Sequence, residues 1–311
     1  MDDIKNWLQT TSYKDYTLEI ASADASFRKY YRLSKDDKTY LLMDSSLELK
    51  SLPAFINVTK KLLEVAVKAP QILEQNIDKG YLIIEDFGSS HYLDILDYDN
   101  FEDLYKKAIE RIIKMQKADV SGLPIYDKDF LILEMDLMAT WYMEKLLPVE
   151  LSPSQNRVIH EALENIAHEV LTQPQGIFVH RDFHSRNIML THNEEVGIID
   201  YQDAMSGAIT YDLVSLLEDS YIEFEREDIL KLALYFRDLQ CPDIEDALFI
   251  KWFDFMSMQR HIKVLGIFAR LFKRDGKKGY LKDIPLTMKY LFDTSKLYEE
   301  TKELHALLRE L

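Results

Sequence analysis

The sequence predicts an α+β protein of two lobes, a small strand-rich N-terminal lobe and a large, mainly helical C-terminal lobe. Three observations carry that expectation. Short β-branched and aromatic runs crowd the chain up to Glu85. Apolar residues recur at helical spacing over most of the remainder. Asp86-Phe87-Gly88 breaks the pattern between them. The lobes are accordingly expected at residues 1–86 and 87–311.

Thr17–Ala21, Tyr30–Leu33 and Tyr40–Met43 read as strands, with Asp36-Asp37 as a hairpin turn between the last two. Pro53 opens a helix to about Val67, with Phe55, Val58, Leu62, Leu63 and Val65 as its apolar set. Strands near Gln71–Glu74 and Tyr81–Glu85 precede the break. Helical spacing then covers Phe101–Asp119, Phe130–Leu146 and Ser152–Thr172, the last opened by Ser152 with Pro153 and Gln155. Gly176–His180 and Val196–Asp200 read as short buried strands with Ile188-Met189-Leu190 between them. Helices resume at Tyr211 and run, with breaks, to Leu311.

The 311 residues are 47% hydrophobic, enough for a sizeable core, and 30% charged, with a net charge of −16. So acidic a chain argues against binding nucleic acid, where affinity comes from cations on phosphates. It argues equally against a general attraction to anionic membranes. Cys241 is the single cysteine, so no internal disulfide or zinc cluster is expected. The opening Met1-Asp2-Asp3-Ile4-Lys5 lacks the apolar run of a signal peptide, and no apolar stretch approaches the ~20 residues of a membrane span. A cytoplasmic protein is expected.

The chemistry concentrates between Phe178 and Ala204. His180-Arg181-Asp182 is followed by Asn187, giving H-R-D-x-x-x-x-N, and Asp200 closes the apolar run Gly197-Ile198-Ile199. Phosphoryl transfer needs a carboxylate to orient the attacking hydroxyl and oxygen ligands for Mg²⁺. Asp182, Asn187 and Asp200 are residues of those kinds, spaced to be held by short strands and loops.

This segment resembles the catalytic and metal-binding loops of the aminoglycoside-phosphotransferase-like kinases, relatives of the protein kinases. The resemblance implies a protein-kinase-like fold using ATP and Mg²⁺. Asp182 would be the catalytic base, Asn187 and Asp200 the magnesium ligands, and Asp212 a structural carboxylate bracing the catalytic loop. Residues 23–32, 42–44, 84–88, 199–204 and 259–270 are similar to a narrower branch, the anomeric kinases of cell-wall amino sugars. That likeness implies phosphorylation of N-acetylmuramate and N-acetylglucosamine in peptidoglycan recycling. In a kinase-like fold backbone groups from Glu85 to Phe87 would bind adenine; the alternative is a simple turn between the lobes.

The chain departs from the kinase pattern twice. It has no glycine before Gly80, so a turn of Ser22, Asp24 and Ser26 must replace a glycine-rich phosphate loop. Met43 stands where protein kinases place a phosphate-binding lysine. Arg28, Lys29 and Arg32 are the nearby cations, and Arg32 is favoured because it shares a strand face with Tyr30. Each is weighed against a solvated surface charge.

His180 is expected to be structural, and His184 to face either substrate or solvent. Asp203 would bind sugar hydroxyls or cap the next helix. Arg260, His261, Lys263, Arg270, Lys273, Arg274, Lys277 and Lys278 form a basic stretch in this acidic chain. The usual explanation is a solvated helix face. The sharper one is capture of an anionic substrate group by Arg260 and Lys263, such as the lactyl carboxylate of N-acetylmuramate. Met135, Met138, Trp141, Tyr142 and Met143 read as core or groove lining. Two alternatives stay open: a kinase for an aminoglycoside, choline or an amino-alcohol, and an inactive kinase-like binding module.

Overall fold

The structure, a computed structural model, describes residues 1–22 and 28–310. In chain order its elements begin α1 (Asp2–Leu8), β1 (Thr17–Ser22), β2 (Lys29–Lys35), β3 (Lys38–Asp44), α2 (Leu52–Glu64), β4 (Ile72–Asn76), β5 (Tyr81–Glu85) and α3 (Tyr92–Ile95). They continue with α4 (Phe101–Met115), α5 (Lys128–Leu137), α6 (Pro153–Thr172), β6 (Ile177–Val179), β7 (Ile188–Leu190), β8 (Val196–Ile198) and β9 (Met205–Gly207). Helices α7 (Tyr211–Leu217), α8 (Arg226–Gln240), α9 (Asp246–Asp275), α10 (Ile284–Ser295) and α11 (Lys302–Leu308) complete the chain. Two compact units result, Met1–Asp94 with Asn187–Asp203, and Ile95–Arg186 with Ala204–Leu311.

The first unit is built on a five-stranded antiparallel sheet of order β1-β2-β3-β5-β4. The expected hairpin turn is present: Lys35 pairs with Lys38, and Asp36 takes a φ of +53° that an aspartate tolerates. β5 is paired on both sides and its Tyr81 to Ile84 are all buried, whereas the edge strand β4 alternates between half-buried and exposed. Helix α1 went unanticipated. It lays Ile4, Trp7 and Leu8 on Tyr31, Leu33, Leu42, Tyr81 and Ile83. A seven-residue helix has little stability of its own, so packing on the sheet is what forms it.

β7 and β8 pair antiparallel and belong to this first unit. The Ile198 N–H donates to the Lys68 carbonyl and the Leu190 N–H to the Ser90 carbonyl, both at 2.9 Å. Gly197 lies against the buried Phe87 ring so closely that a Cβ there would sit 2.7 Å from it. Only glycine fits that approach.

In the second unit, α6 starts as expected. Ser152 Oγ accepts from the Gln155 N–H at 3.2 Å, and Gln155 Oε1 accepts from the Ser152 N–H at 2.9 Å. The stretch expected as one helix over 130–146 is instead α-helical to Leu137 and π-helical over Met138–Leu146. The 30-residue α9 crosses where that change occurs, and a Cβ on its Gly266 would lie 2.4 Å from the Leu137 carbonyl carbon. Strand β9, also unanticipated, pairs antiparallel with β6, whose last residue leads straight into His180.

Candidate active site

The H-R-D segment sits just beyond β6, in the second unit. Asp212, in the first turn of α7, accepts the backbone N–H of His180 at 2.8 Å and of Arg181 at 3.1 Å. The buried His180 ring accepts the Asp182 N–H at its Nδ1, 3.2 Å away. Asp212 therefore braces the loop, and His180 is structural. Arg181 holds a φ of +78°, a left-handed backbone costing about 1–2 kcal/mol outside glycine. These bonds hold it there, and such strain is a frequent mark of a working site.

Burial alone would push the Asp182 carboxyl up. The charges of Lys263, Arg260 and Arg181 outweigh it and hold the group well below the usual carboxylate range. Burial does the reverse to His184, pushing its imidazole down to about 3, so the ring is neutral at physiological pH. Among the described residues its buried Nδ1 has no hydrogen-bond partner, and its ring meets the Tyr221 ring edge-on at 5.2 Å.

The basic stretch divides in two, which corrects the solvated-face expectation. Lys273, Arg274 and Lys278 are exposed. Arg260 and Lys263, however, are 5% and 3% exposed. Arg260 Nη1 donates to the Arg181 carbonyl at 2.8 Å, and Lys263 Nζ to the Tyr211 hydroxyl at 2.8 Å. Both stay inside because a carboxylate unnoticed in the sequence balances them. Glu134 of α5 pairs with Arg181 and, at 3.6 Å, with Lys263, and accepts a hydrogen bond from the Tyr126 hydroxyl. Burial works against its ionisation, but these partners lower its pKa overall. No local pattern marked Glu134; its cationic partners lie 47 and 129 residues away in the chain.

The two expected magnesium ligands lie in the first unit. The Ile199 N–H donates to the Asn187 carbonyl at 3.1 Å, so Asn187, just before β7, and Asp200, just after β8, flank the open end of that hairpin. Asp200 is exposed with a φ of +64°. The Gln202 amide donates to Asp200 at 3.0 Å and to Asp203 at 3.1 Å, drawing those carboxylates together. Tyr201 anchors the loop on α2. Its hydroxyl bonds Thr59 at 2.8 Å and its ring stacks on Phe55 at 5.2 Å. Amide and carboxylate oxygens are hard donors that suit Mg²⁺. Among the described residues no cluster of three His, Cys, Asp or Glu forms a metal cage.

Of the turn expected to cover the phosphates, Ser22 ends β1, and Asp24 and Ser26 lie outside the described residues. Arg32 is engaged at the break between the sequence regimes. It forks onto Asp86 at 2.7 and 3.1 Å and reaches the Gly88 carbonyl at 3.2 Å. Arg28 is buried over Phe55 and donates to Ser51 at 2.8 Å. Glu85 accepts from Lys68 at 2.6 Å, and the Phe87 ring packs on Gly197. Met43 is fully buried. Sequence reasoning passed over Lys61, 7% exposed on α2, and Lys68. Lys61 had a signal: it follows Val58 by three residues and precedes Val65 by four, which puts it on the apolar helix face.

Residues 17–245 match the model of the phosphotransferase enzyme family. The chain is 38% identical to an N-acetylmuramate/N-acetylglucosamine kinase of Neisseria meningitidis, over 99% of this chain and 95% of that one. It is 36% identical to a protein of the same name from Pseudomonas aeruginosa, over 94% and 87%. Among solved structures, ADP-bound aminoglycoside phosphotransferase APH(2'')-Ib superposes with a TM-score of 0.65 at 16% identity, covering 97% of this chain and 98% of that one. An ethanolamine kinase of Plasmodium vivax gives 0.67 at 11%, covering 91% and 85%. These likenesses carry the protein-kinase-like fold. Among the described residues, no helix is long and apolar enough to cross a membrane.

Proposed function

The chain belongs to the phosphotransferase enzyme family, and on that footing we propose that it transfers phosphate from ATP to the anomeric hydroxyl of N-acetylmuramate and N-acetylglucosamine, in the cytoplasm, as a step of cell-wall recycling. The substrate class rests on the curated relatives. The chemistry rests on one observation above all: Asp182, in a loop braced by Asp212, is kept ionised by Lys263, Arg260 and Arg181.

In this reading Asp182 accepts a hydrogen bond from the attacking hydroxyl, orients it, and takes its proton as the phosphoryl group arrives. A carboxylate of such low basicity suits an anomeric hydroxyl, which is more acidic than an ordinary alcohol. It also suits a loose transition state that asks for little proton transfer beforehand. Asn187 and Asp200 would hold Mg²⁺, which supplies charge neutralisation at the nucleotide phosphates. The left-handed backbone at Asp200 and the Tyr201 anchor fix that carboxylate's direction.

Residues 1–86 are proposed as the nucleotide-binding lobe and 87–311 as the catalytic and substrate-binding lobe. The Glu85 to Phe87 backbone would meet adenine, and Ser26 the phosphates. Arg28 and Arg32 would have to exchange Ser51 and Asp86 for phosphate oxygens to take part. His184 and Asp203 are proposed for the sugar. The buried cations around Asp182 make a cationic acceptor such as choline a poor fit.

The test is ADP release from Mg·ATP with each sugar, followed by phosphorus NMR of the product. Phosphate on the anomeric carbon is the expected result. Phosphate on another hydroxyl overturns the anomeric assignment, and absence of turnover with both sugars overturns the substrate class.

A further inference from the structure

The catalytic loop has two ends, and Asp212 holds the first, taking the backbone N–H groups of His180 and Arg181 just ahead of Asp182. The second end is Ser185, three residues past Asp182 and fully buried. Its backbone N–H donates to Asp219 Oδ2 at 2.8 Å, and its hydroxyl donates to the same oxygen. Asp219 Oδ1 accepts the backbone N–H of Tyr221 at 3.0 Å. That bond, of the kind made in an Asx turn, fixes the direction of the carboxylate. Tyr221 in turn presents its ring to His184, edge-on at 5.2 Å.

Asp219 follows Asp212 by seven residues, and α7, which runs from Tyr211 to Leu217, is buried along its whole length. The two carboxylates are thus carried at either end of one packed element, and the loop is tied to it on both sides of Asp182. A buried carboxylate is costly unless it is hydrogen-bonded and balanced by charge. Burial pushes Asp219 up, and the Ser185 and Tyr221 donors with the charge of Arg260 pull against that rise. Arg260 acts on Asp182 and Asp212 in the same sense, while its Nη1 donates to the Arg181 carbonyl at 2.8 Å. Neither brace can become an amide without loss. Both oxygens of each carboxylate accept backbone N–H groups, so an amide nitrogen would set donor against donor.

We propose that Asp219 is a positioning residue for phosphoryl transfer: through Ser185 it pins the end of the catalytic loop that Asp212 does not reach, so that Asp182 is held from both sides. The proposal rests on the kinase reading of Asp182 and adds to it a residue that neither spacing nor motif singled out.

The experiment is steady-state kinetics with Mg·ATP and each sugar for the wild-type protein, Asp219→Asn, Ser185→Ala and the double variant. Circular dichroism checks folding, and amide hydrogen exchange is followed over residues 180–186. Misplacing a catalytic group by about 1 Å can cost about 100-fold, so Asp219→Asn is expected to lower kcat about 10- to 100-fold with KM for ATP and sugar within about twofold. Ser185→Ala keeps the N–H bond and is expected to lose about 3- to 10-fold in kcat. Because the two residues act through one contact, the loss in the double variant is expected to fall well short of the product of the single losses. Exchange over 180–186 is expected to quicken in Asp219→Asn. An unchanged kcat in the folded variants, a loss carried by KM, or losses that multiply in the double variant overturns the assignment. If Asp219→Asn does not fold, Ser185→Ala decides alone. A wild-type protein inactive on both sugars overturns the sugar-kinase reading, and unchanged exchange over 180–186 then overturns the brace separately.

Discussion

At the scale of single residues, two buried aspartates, Asp182 and Asp212, are shifted in opposite directions. Asp182 is surrounded by cations and stays ionised across any working pH. Asp182→Asn keeps the shape and removes the charge, so kcat is expected to fall about 10²- to 10⁴-fold with the fold intact, measured by ADP release beside circular dichroism. Asp212 is buried, and burial pushes it up to about 6 against the pull of His180 and two backbone N–H donors. Protonation weakens those charge-assisted bonds and loosens the loop. A kcat–pH profile is therefore expected to drop through an apparent pKa near 6. In Asp212→Asn that limb is expected to vanish and the plateau to lie about tenfold lower.

At the scale of elements, glycines placed for close approach are the exacting positions. Gly266 lets α9 lie on the Leu137 backbone where α5 gives way to the π-helical stretch. A methyl group there has no flexible side-chain end to push aside, because backbone is what it meets. Gly266→Ala is expected to cost about 3 kcal/mol, read as a lower urea midpoint. Gly279→Ala, with nothing among the described residues within 4 Å of the added carbon, is the control and is expected to be near neutral. The same reasoning explains Gly197 beneath Phe87.

At the scale of the whole molecule, the net charge of −16 hides the inward-turned cations Arg181, Arg260 and Lys263 near Asp182, and a second buried network is built on Glu218. Glu218 accepts the Ser257 hydroxyl and faces Arg226 at 3.5 Å, while Arg226 also holds Asp254, which accepts the Tyr298 hydroxyl. Burial, with the Asp254 charge, pushes Glu218 up to about 7. Between its unfolded pKa of ~4.3 and 7 the folded chain binds a proton that the unfolded chain does not. That contribution is fully present below the unfolded pKa and is lost as pH rises through 7. Glu134 and Asp182 are shifted the other way, and their contributions are lost only in more acid solution. Stability to urea is therefore expected to fall by about 2 kcal/mol from Glu218 alone between pH 5.5 and 8. Glu218→Gln should flatten that slope.

Much of this was legible in the sequence because it depends on near neighbours. Strand alternation, the Asp36-Asp37 hairpin turn, the Ser152–Gln155 capping box and the spacing of Asp182, Asn187 and Asp200 are all set within a few residues. The two-lobe α+β class follows from where one periodicity gives way to the other. Only the tertiary structure decided that α1 forms, that the 130–146 helix changes pitch at Leu137, and that Arg260 and Lys263 turn inward. The reason is common to all three. Whether a charge is buried or a short helix persists depends on partners far along the chain, such as Glu134 for Lys263 or Tyr81 for Trp7. A charged run looks the same in sequence whether water or a distant carboxylate faces it.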